Sequence, residues 1–250
     1  MIRTALLLGI CLMVSSCVNV ATNQPANKQV AAELVQRHLN LGVGYLRNGD
    51  IPRAKEKLNK ALAIDPKNAL ANSTLGLVFA SEGENALAEQ YFKKAVRYDS
   101  DSAQVRNRYG AFLFSEKRYH EAVEQLSKAS ENRFYENRSN VFENLGVAYF
   151  RIGDVENADY AFSRAIRLNA EQPRALLELG EIRFEQRNYV EARDLLLRHT
   201  QIANRSAKSF WLCVRVARIF DNINDEASCI EALEGIFPGS DEYQQYKESL

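Results

Sequence analysis

From Val30 onward, apolar residues recur at spacings of three and four or their sums, beginning with Val30, Leu34, Leu41 and Tyr45. That period predicts amphipathic helices. A second regularity lies on top of the first: Gly42, Gly76, Gly110, Gly146 and Gly180 step by 34, 34, 36 and 34 residues, and Ala54, Ala88, Ala122, Ala158 and Ala192 step by the same intervals. A small residue at the Gly position lets two helices touch, and the Ala twelve residues later opens the place where a second helix packs back. The position four after the Ala is held by Leu58, Phe92, Leu126, Phe162 and Leu196. Three further on stand Ala61, Ala95, Ala129 and Ala165, with His199 breaking the run. Between the two helices of the fourth copy, Gly153 can take the left-handed conformation that ends a helix. The third and fifth copies have Lys117 and Arg187 there, each followed two residues on by a Tyr, Tyr119 and Tyr189, that is expected to pack the turn.

A period of 34 with Gly, an aromatic three residues later, Ala at twelve and an aromatic or Leu at sixteen resembles the tetratricopeptide repeat. The copies fall at about residues 35–68, 69–102, 103–136, 139–172 and 173–206, with a diverged sixth at 207–238 and a polar cap at 239–250. The expected fold is therefore all-α, a right-handed superhelical solenoid of about six helix pairs covering residues 30–250. Each pair buries its apolar face only against its neighbours, and the last pair needs a cap. Two extra residues lie between the third and fourth copies, in a connection that contains Phe134 and Tyr135. These aromatics either contact something outside or plug the gap between repeats.

Residues 1–16 stand apart. Arg3 precedes a short apolar run ending in Val14, Ser15, Ser16 and Cys17, too short to span a bilayer and of the right length for an export signal. Small residues before a Cys resemble the bacterial lipobox, which implies cleavage before Cys17 and acylation of that residue. The alternative is an ordinary signal with an incidental Cys. Val18, in place of Asp, points to the outer membrane. Residues 17–29, polar and containing Pro25, read as a lipidated Cys and a flexible tether with a reach of roughly 20 Å.

Charge narrows the partner. Lys and Arg number 32, as do Asp and Glu, so no field of one sign recommends nucleic acid. His38, His120 and His199 lie in different repeats without metal-ligand spacing and read as surface or groove-edge residues. No phosphate loop or nucleophile elbow appears, so neither a catalytic residue, a cofactor, a metal nor a small-molecule substrate is expected. Once Cys11 leaves with the signal and Cys17 is acylated, Cys213 and Cys229 remain. They lie on two arms of a hairpin around residue 221, and two readings stand: a disulfide formed in an oxidising compartment, or two buried thiols.

The whole chain is also similar to the PilF/PilW family of type IV pilus biogenesis lipoproteins. The resemblance is carried by residues 108–113 (Arg-Tyr-Gly-Ala-Phe-Leu), by Phe134-Tyr135-Glu136-Asn137-Arg138-Ser139, and by Phe237-Pro238-Gly239-Ser240. Cys213 replaces a Gly expected from that family. The resemblance implies a pilotin: an outer-membrane, lipid-anchored protein that faces the periplasm and helps the pilus secretin reach the outer membrane and multimerise. A general periplasmic scaffold for envelope or peptidoglycan machinery is the alternative. In such an array the first helices line the concave face, where residues four past the Gly look inward: Leu46, Ala80, Phe114, Phe150 and Phe184. Asn107 and Glu143 would add hydrogen bonds to a bound secretin segment. The competing expectation is that these aromatics serve only packing. The Lys and Asn clamp of chaperone-binding relatives is absent, its positions being Leu39, Val43, Ser73 and Leu77.

Overall fold

The computed structural model describes residues 24–250, so the export signal and the acylation expected at Cys17 lie outside the described residues. Thirteen helices and no strand are found among the described residues. They form six antiparallel pairs: α1 (Gln24–Arg47) with α2 (Ile51–Ile64), α3 (Ala69–Ser81) with α4 (Asn85–Tyr98), α5 (Ala103–Ser115) with α6 (Tyr119–Glu131), α7 (Arg138–Arg151) with α8 (Val155–Leu168), α9 (Pro173–Glu185) with α10 (Tyr189–Ile202), and α11 (Ala207–Ile219) with α12 (Ile223–Ile236). A final short helix, α13 (Asp241–Glu248), lies against α11 and α12. The fold is the expected all-helical tetratricopeptide solenoid.

The two small-residue series sit where close packing demands them. Ala54, Ala88, Ala122, Ala158 and Ala192 are fully buried, as are Leu58, Phe92, Leu126 and Phe162 four residues later. A Cβ placed on Gly146 would lie 2.7 Å from the Phe162 ring, and one on Gly110 would lie 2.6 Å from Leu126. Because that ring is wholly enclosed, it has nowhere to retreat. Gly44, by contrast, has nothing within 4 Å of its would-be Cβ. Gly146→Ala is therefore expected to lose about 1–3 kcal/mol through overpacking. Gly44→Ala should gain up to about 1 kcal/mol, because only helix propensity changes there. Urea unfolding of the two variants checks the opposite signs.

All six hairpins turn in the same way. The residue that reverses the chain has positive φ in every one: Gly49, Gly83 and Gly153 at 72–79°, and Lys117, Arg187 and Asp221 at 61°, 62° and 52°. Left-handed backbone costs a residue with a Cβ about 1–2 kcal/mol, so the three non-glycine turns need support. Two receive it from aromatic pairs, Phe114 with Tyr119 and Phe184 with Tyr189, each with ring centroids 5.1 Å apart.

Curvature follows from which helices touch. The first helices of successive pairs contact one another along the whole array, α1 with α3, α3 with α5, α5 with α7, α7 with α9 and α9 with α11. Among the described residues no second helix contacts another second helix. The side formed by the first helices is thus the closer-packed, inner one.

The structure corrects two expectations and divides a third. Helix α1 starts at Gln24, inside the stretch 17–29 read as a tether. Pro25 does not prevent this, because in the first turn its missing N–H would be unpaired in any case. His199 is buried, not at the surface: it fills the slot that Ala holds in the other copies, and its Nδ1 donates to the Pro173 carbonyl at 3.0 Å. The aromatics of the long connection divide. Tyr135 packs against Ala103, Ala129 and Val141, whereas Phe134 is 97% exposed.

Candidate functional site: the inner face

Viewed along the array, the inner face carries one polar stripe. The residues two before each repeat Gly are Asn40, Thr74, Arg108, Asn144 and Glu178. Asn40 accepts from Gln36 one turn earlier in its own helix, and the other four are paired with neighbouring repeats. Arg108 Nη1 donates to Ser73 Oγ at 2.9 Å and to Thr74 Oγ1 at 3.0 Å, joining α5 to α3. Asn144 Nδ2 donates to Asn107 Oδ1 at 3.1 Å, and Glu178 accepts from Lys208 Nζ at 2.6 Å. Burial lowers the pKa of Arg108 from its ordinary value.

At the first end of this stripe, α1, α3 and α5 enclose a cavity of about 350 Å³. Leu39, Val43 and Leu70 supply apolar wall, Asn40 and Gln104 supply amides, and Arg47 and Arg108 supply charge. No carboxylate lines it. Among the described residues neither guanidinium has a carboxylate partner. Arg108 also keeps its hydroxyl contacts through groups already satisfied as donors, since Ser73 and Thr74 both donate to the Leu70 carbonyl. A cationic, amide-lined and partly apolar recess is chemically suited to an extended segment that brings both a carboxylate and an aliphatic side chain.

A second, smaller recess of about 160 Å³ lies midway, lined by Val147, Phe150, Arg151, Arg174, Glu178 and Lys208. Phe150 is 40% exposed, and Lys208 Nζ stands 5.9 Å from the centre of its ring. Past this point the face closes on itself through ion pairs. Arg215 on α11 reaches Glu181 at 2.5 Å and Glu185 at 3.1 Å. Burial raises the pKa of Glu181, and the charge of Arg215 opposes that rise.

The sequence-derived groove residues separate under this geometry. Leu46 is half-buried against the core between the first two pairs. Phe114 and Phe184 are also half-buried, held by their tyrosines and covered by Arg174 and Arg215 respectively. Phe150 stays open. Asn107 and Glu143 are engaged inside the array, Asn107 by Asn144 and Glu143 by the Ala175 N–H at 3.1 Å. Burial pushes the Glu143 carboxyl above its ordinary range, and the Ala175 N–H works against that shift. Arg47 and Arg108 were not singled out by spacing. For Arg108 the available signal was a polar residue two before the Gly in all five copies; Arg47, five after Gly42, carried none. Away from this face, the Cys213 and Cys229 sulfurs are joined in a disulfide between α11 and α12, with Cα atoms 6.3 Å apart. No cluster of His, Cys, Asp and Glu that could hold a metal ion occurs among the described residues.

A solenoid of this kind, with its polar stripe on the stacked first helices, defines a repeat scaffold. Residues 39–103, 73–137 and 143–207 match the tetratricopeptide repeat, and the chain belongs to that class of protein. It is 36% identical over 247 residues to the type IV pilus assembly protein PilF of Pseudomonas aeruginosa, with 98% of each chain covered. A solved structure of Pseudomonas aeruginosa PilF superimposes with a TM-score of 0.85 at 38% identity, covering 88% of this chain and 99% of that one. The crystal structure of PilW, a widely conserved type IV pilus biogenesis factor, shares the fold with a TM-score of 0.70 at 24% identity, covering 87% and 98%. The chain is a member of the PilF/PilW family of type IV pilus biogenesis proteins.

Proposed function

We propose that the protein is a pilotin: a scaffold, lipidated at Cys17 and held at the outer membrane with its repeats in the periplasm, that binds the type IV pilus secretin and promotes its localisation and multimerisation. Identity to a pilus assembly protein along 98% of the chain is the observation that carries this reading. Among the described residues no helix is long and apolar enough to cross a membrane, so in this proposal the anchor is the lipid. Several acyl chains together hold firmly where one alone is marginal. The protein works by binding, not by catalysis. The inner face receives a secretin segment that carries acidic and apolar side chains, with Arg47 and Arg108 meeting the charge and Phe150 the apolar part.

The test combines localisation with capture. Cys17→Ser should leave the repeats folded and release them from the outer-membrane fraction. Arg47→Ala and Phe150→Ala should each weaken secretin capture about tenfold, equivalent to about 1.4 kcal/mol. Both side chains are partly exposed, so the melting temperature should move by no more than about 2 °C. Heat-resistant secretin multimers and surface pili should fall together in these strains. Normal multimers in a strain lacking the gene, or recovery of wall hydrolases in place of secretin on co-purification, would overturn the reading.

A further inference from the structure

A third cavity lies on the opposite side of the array from the polar stripe, where α10 and α12 stand apart and α11 forms the floor. Its volume is about 400 Å³, within the range of roughly 300–1,000 Å³ typical of ligand sites. Leu196, Leu197, Val216, Ala217 and Phe220 make an apolar wall, and the Cys213–Cys229 disulfide forms part of it. Two arginines also line this cavity. Arg193 lies 4.1 Å above the Phe220 ring, and Arg205 has its Nη1 4.0 Å from Cys229 Sγ. Among the described residues neither is paired with a carboxylate. The one acid in the lining, Asp225, has Oδ2 occupied by Asn222 Nδ2 at 2.6 Å.

Apolar wall and free guanidinium are thus placed side by side, since the ring that Arg193 covers is itself part of the wall. An occupant that satisfies both must carry its negative charge within a few atoms of a bulky apolar group. The last residue of a protein chain does so, because its free carboxylate and its side chain leave the same Cα. Thr200, Ser209, Asn222 and Ser228 add hydrogen-bonding groups around the cavity. Such groups suit the amides of a peptide, whereas a fatty acyl chain would need an unbroken apolar channel. We propose that this cavity binds the carboxyl terminus of a partner protein ending in an apolar residue, with the side chain in the cavity and the carboxylate on Arg193 and Arg205. The site is separate from the inner face, so one segment can be held there while another protein's terminus is held here.

Fluorescence anisotropy with labelled hexapeptides of sequence Gly-Ser-Gly-Ser-Ala-X tests the proposal on the full chain. Peptides with X as Leu or Phe and a free carboxylate should bind, and the Leu peptide amidated at its end should bind at least tenfold more weakly. Arg193→Gln combined with Arg205→Gln should weaken the free-acid peptide at least tenfold and leave the amide unchanged. Ser228→Trp, at an exposed lining position, should block both. Secretin capture by these variants should be unaffected, which distinguishes failure here from failure of the pilotin reading. Equal affinity for acid and amide, indifference to the arginine changes, absence of peptide binding, or tighter binding of laurate than of any peptide would each overturn the assignment.

Discussion

Phe162→Ala is expected to destabilise the fourth helix pair by about 3–5 kcal/mol, near the upper end of what loss of a buried aromatic costs. The reason lies in what surrounds the ring. Phe162 is wholly buried, and the residue facing it across the pair is Gly146, which has no side chain to move into the space. The neighbouring Ala158, Ala161 and Ala165 are equally short and fully buried. A hole bounded by glycine and alanines cannot collapse without shifting backbone. Phe162→Leu should cost less than about 1.5 kcal/mol, since Leu58 and Leu126 fill the same position opposite Gly42 and Gly110. Urea denaturation followed by circular dichroism should give the two values. In a solenoid each pair is stabilised by its neighbours, so the alanine variant should also broaden the transition as the two halves lose coupling.

Removal of the disulfide should have the second large effect. Cys213 and Cys229 close a loop with a sequence separation of 16, for which the chain-entropy argument gives about 3 kcal/mol. The bond holds α11 against α12, and α12 with α13 closes the end of the array. Cys213→Ser with Cys229→Ser should therefore loosen the last pair selectively. Hydrogen exchange should rise in α11, α12 and α13 while α1 to α8 keep their protection. Unchanged exchange in the last pair would mean that packing of Phe210, Trp211 and Leu233 is sufficient there. Export would place the chain where such a bond persists.

Much of this fold was legible from the spacing of a few small residues. Gly and Ala at fixed intervals fix where two helices touch, and that constraint is local to each 34-residue unit. The features that escaped reading depend on contacts between units. Arg108 is one more polar residue in a helix until α3 brings Ser73 and Thr74 to it from 35 and 34 residues away. His199 breaks an alanine series and by spacing reads as a surface or groove-edge residue, yet the carbonyl that accepts its proton lies 26 residues earlier. Phe134 and Tyr135 are adjacent and similar, and only the path of the connection decides which turns inward. The start of α1 has a different reason: residues 24–29 have no apolar period, and residues 27–30 are exposed, so nothing in the sequence there marks a buried helix face.

That early start has a mechanical consequence. Helix α1 has 24 residues where α3 and α5 have 13, so it overshoots the array by 11 residues, or about 16 Å at 1.5 Å per residue. A string at this place would leave the start of the helix free to wander around the array. A helical post continuous with the first repeat instead keeps Gln24 at one distance and bearing from the inner face, so a pull applied there acts on the array as on the end of a rigid lever.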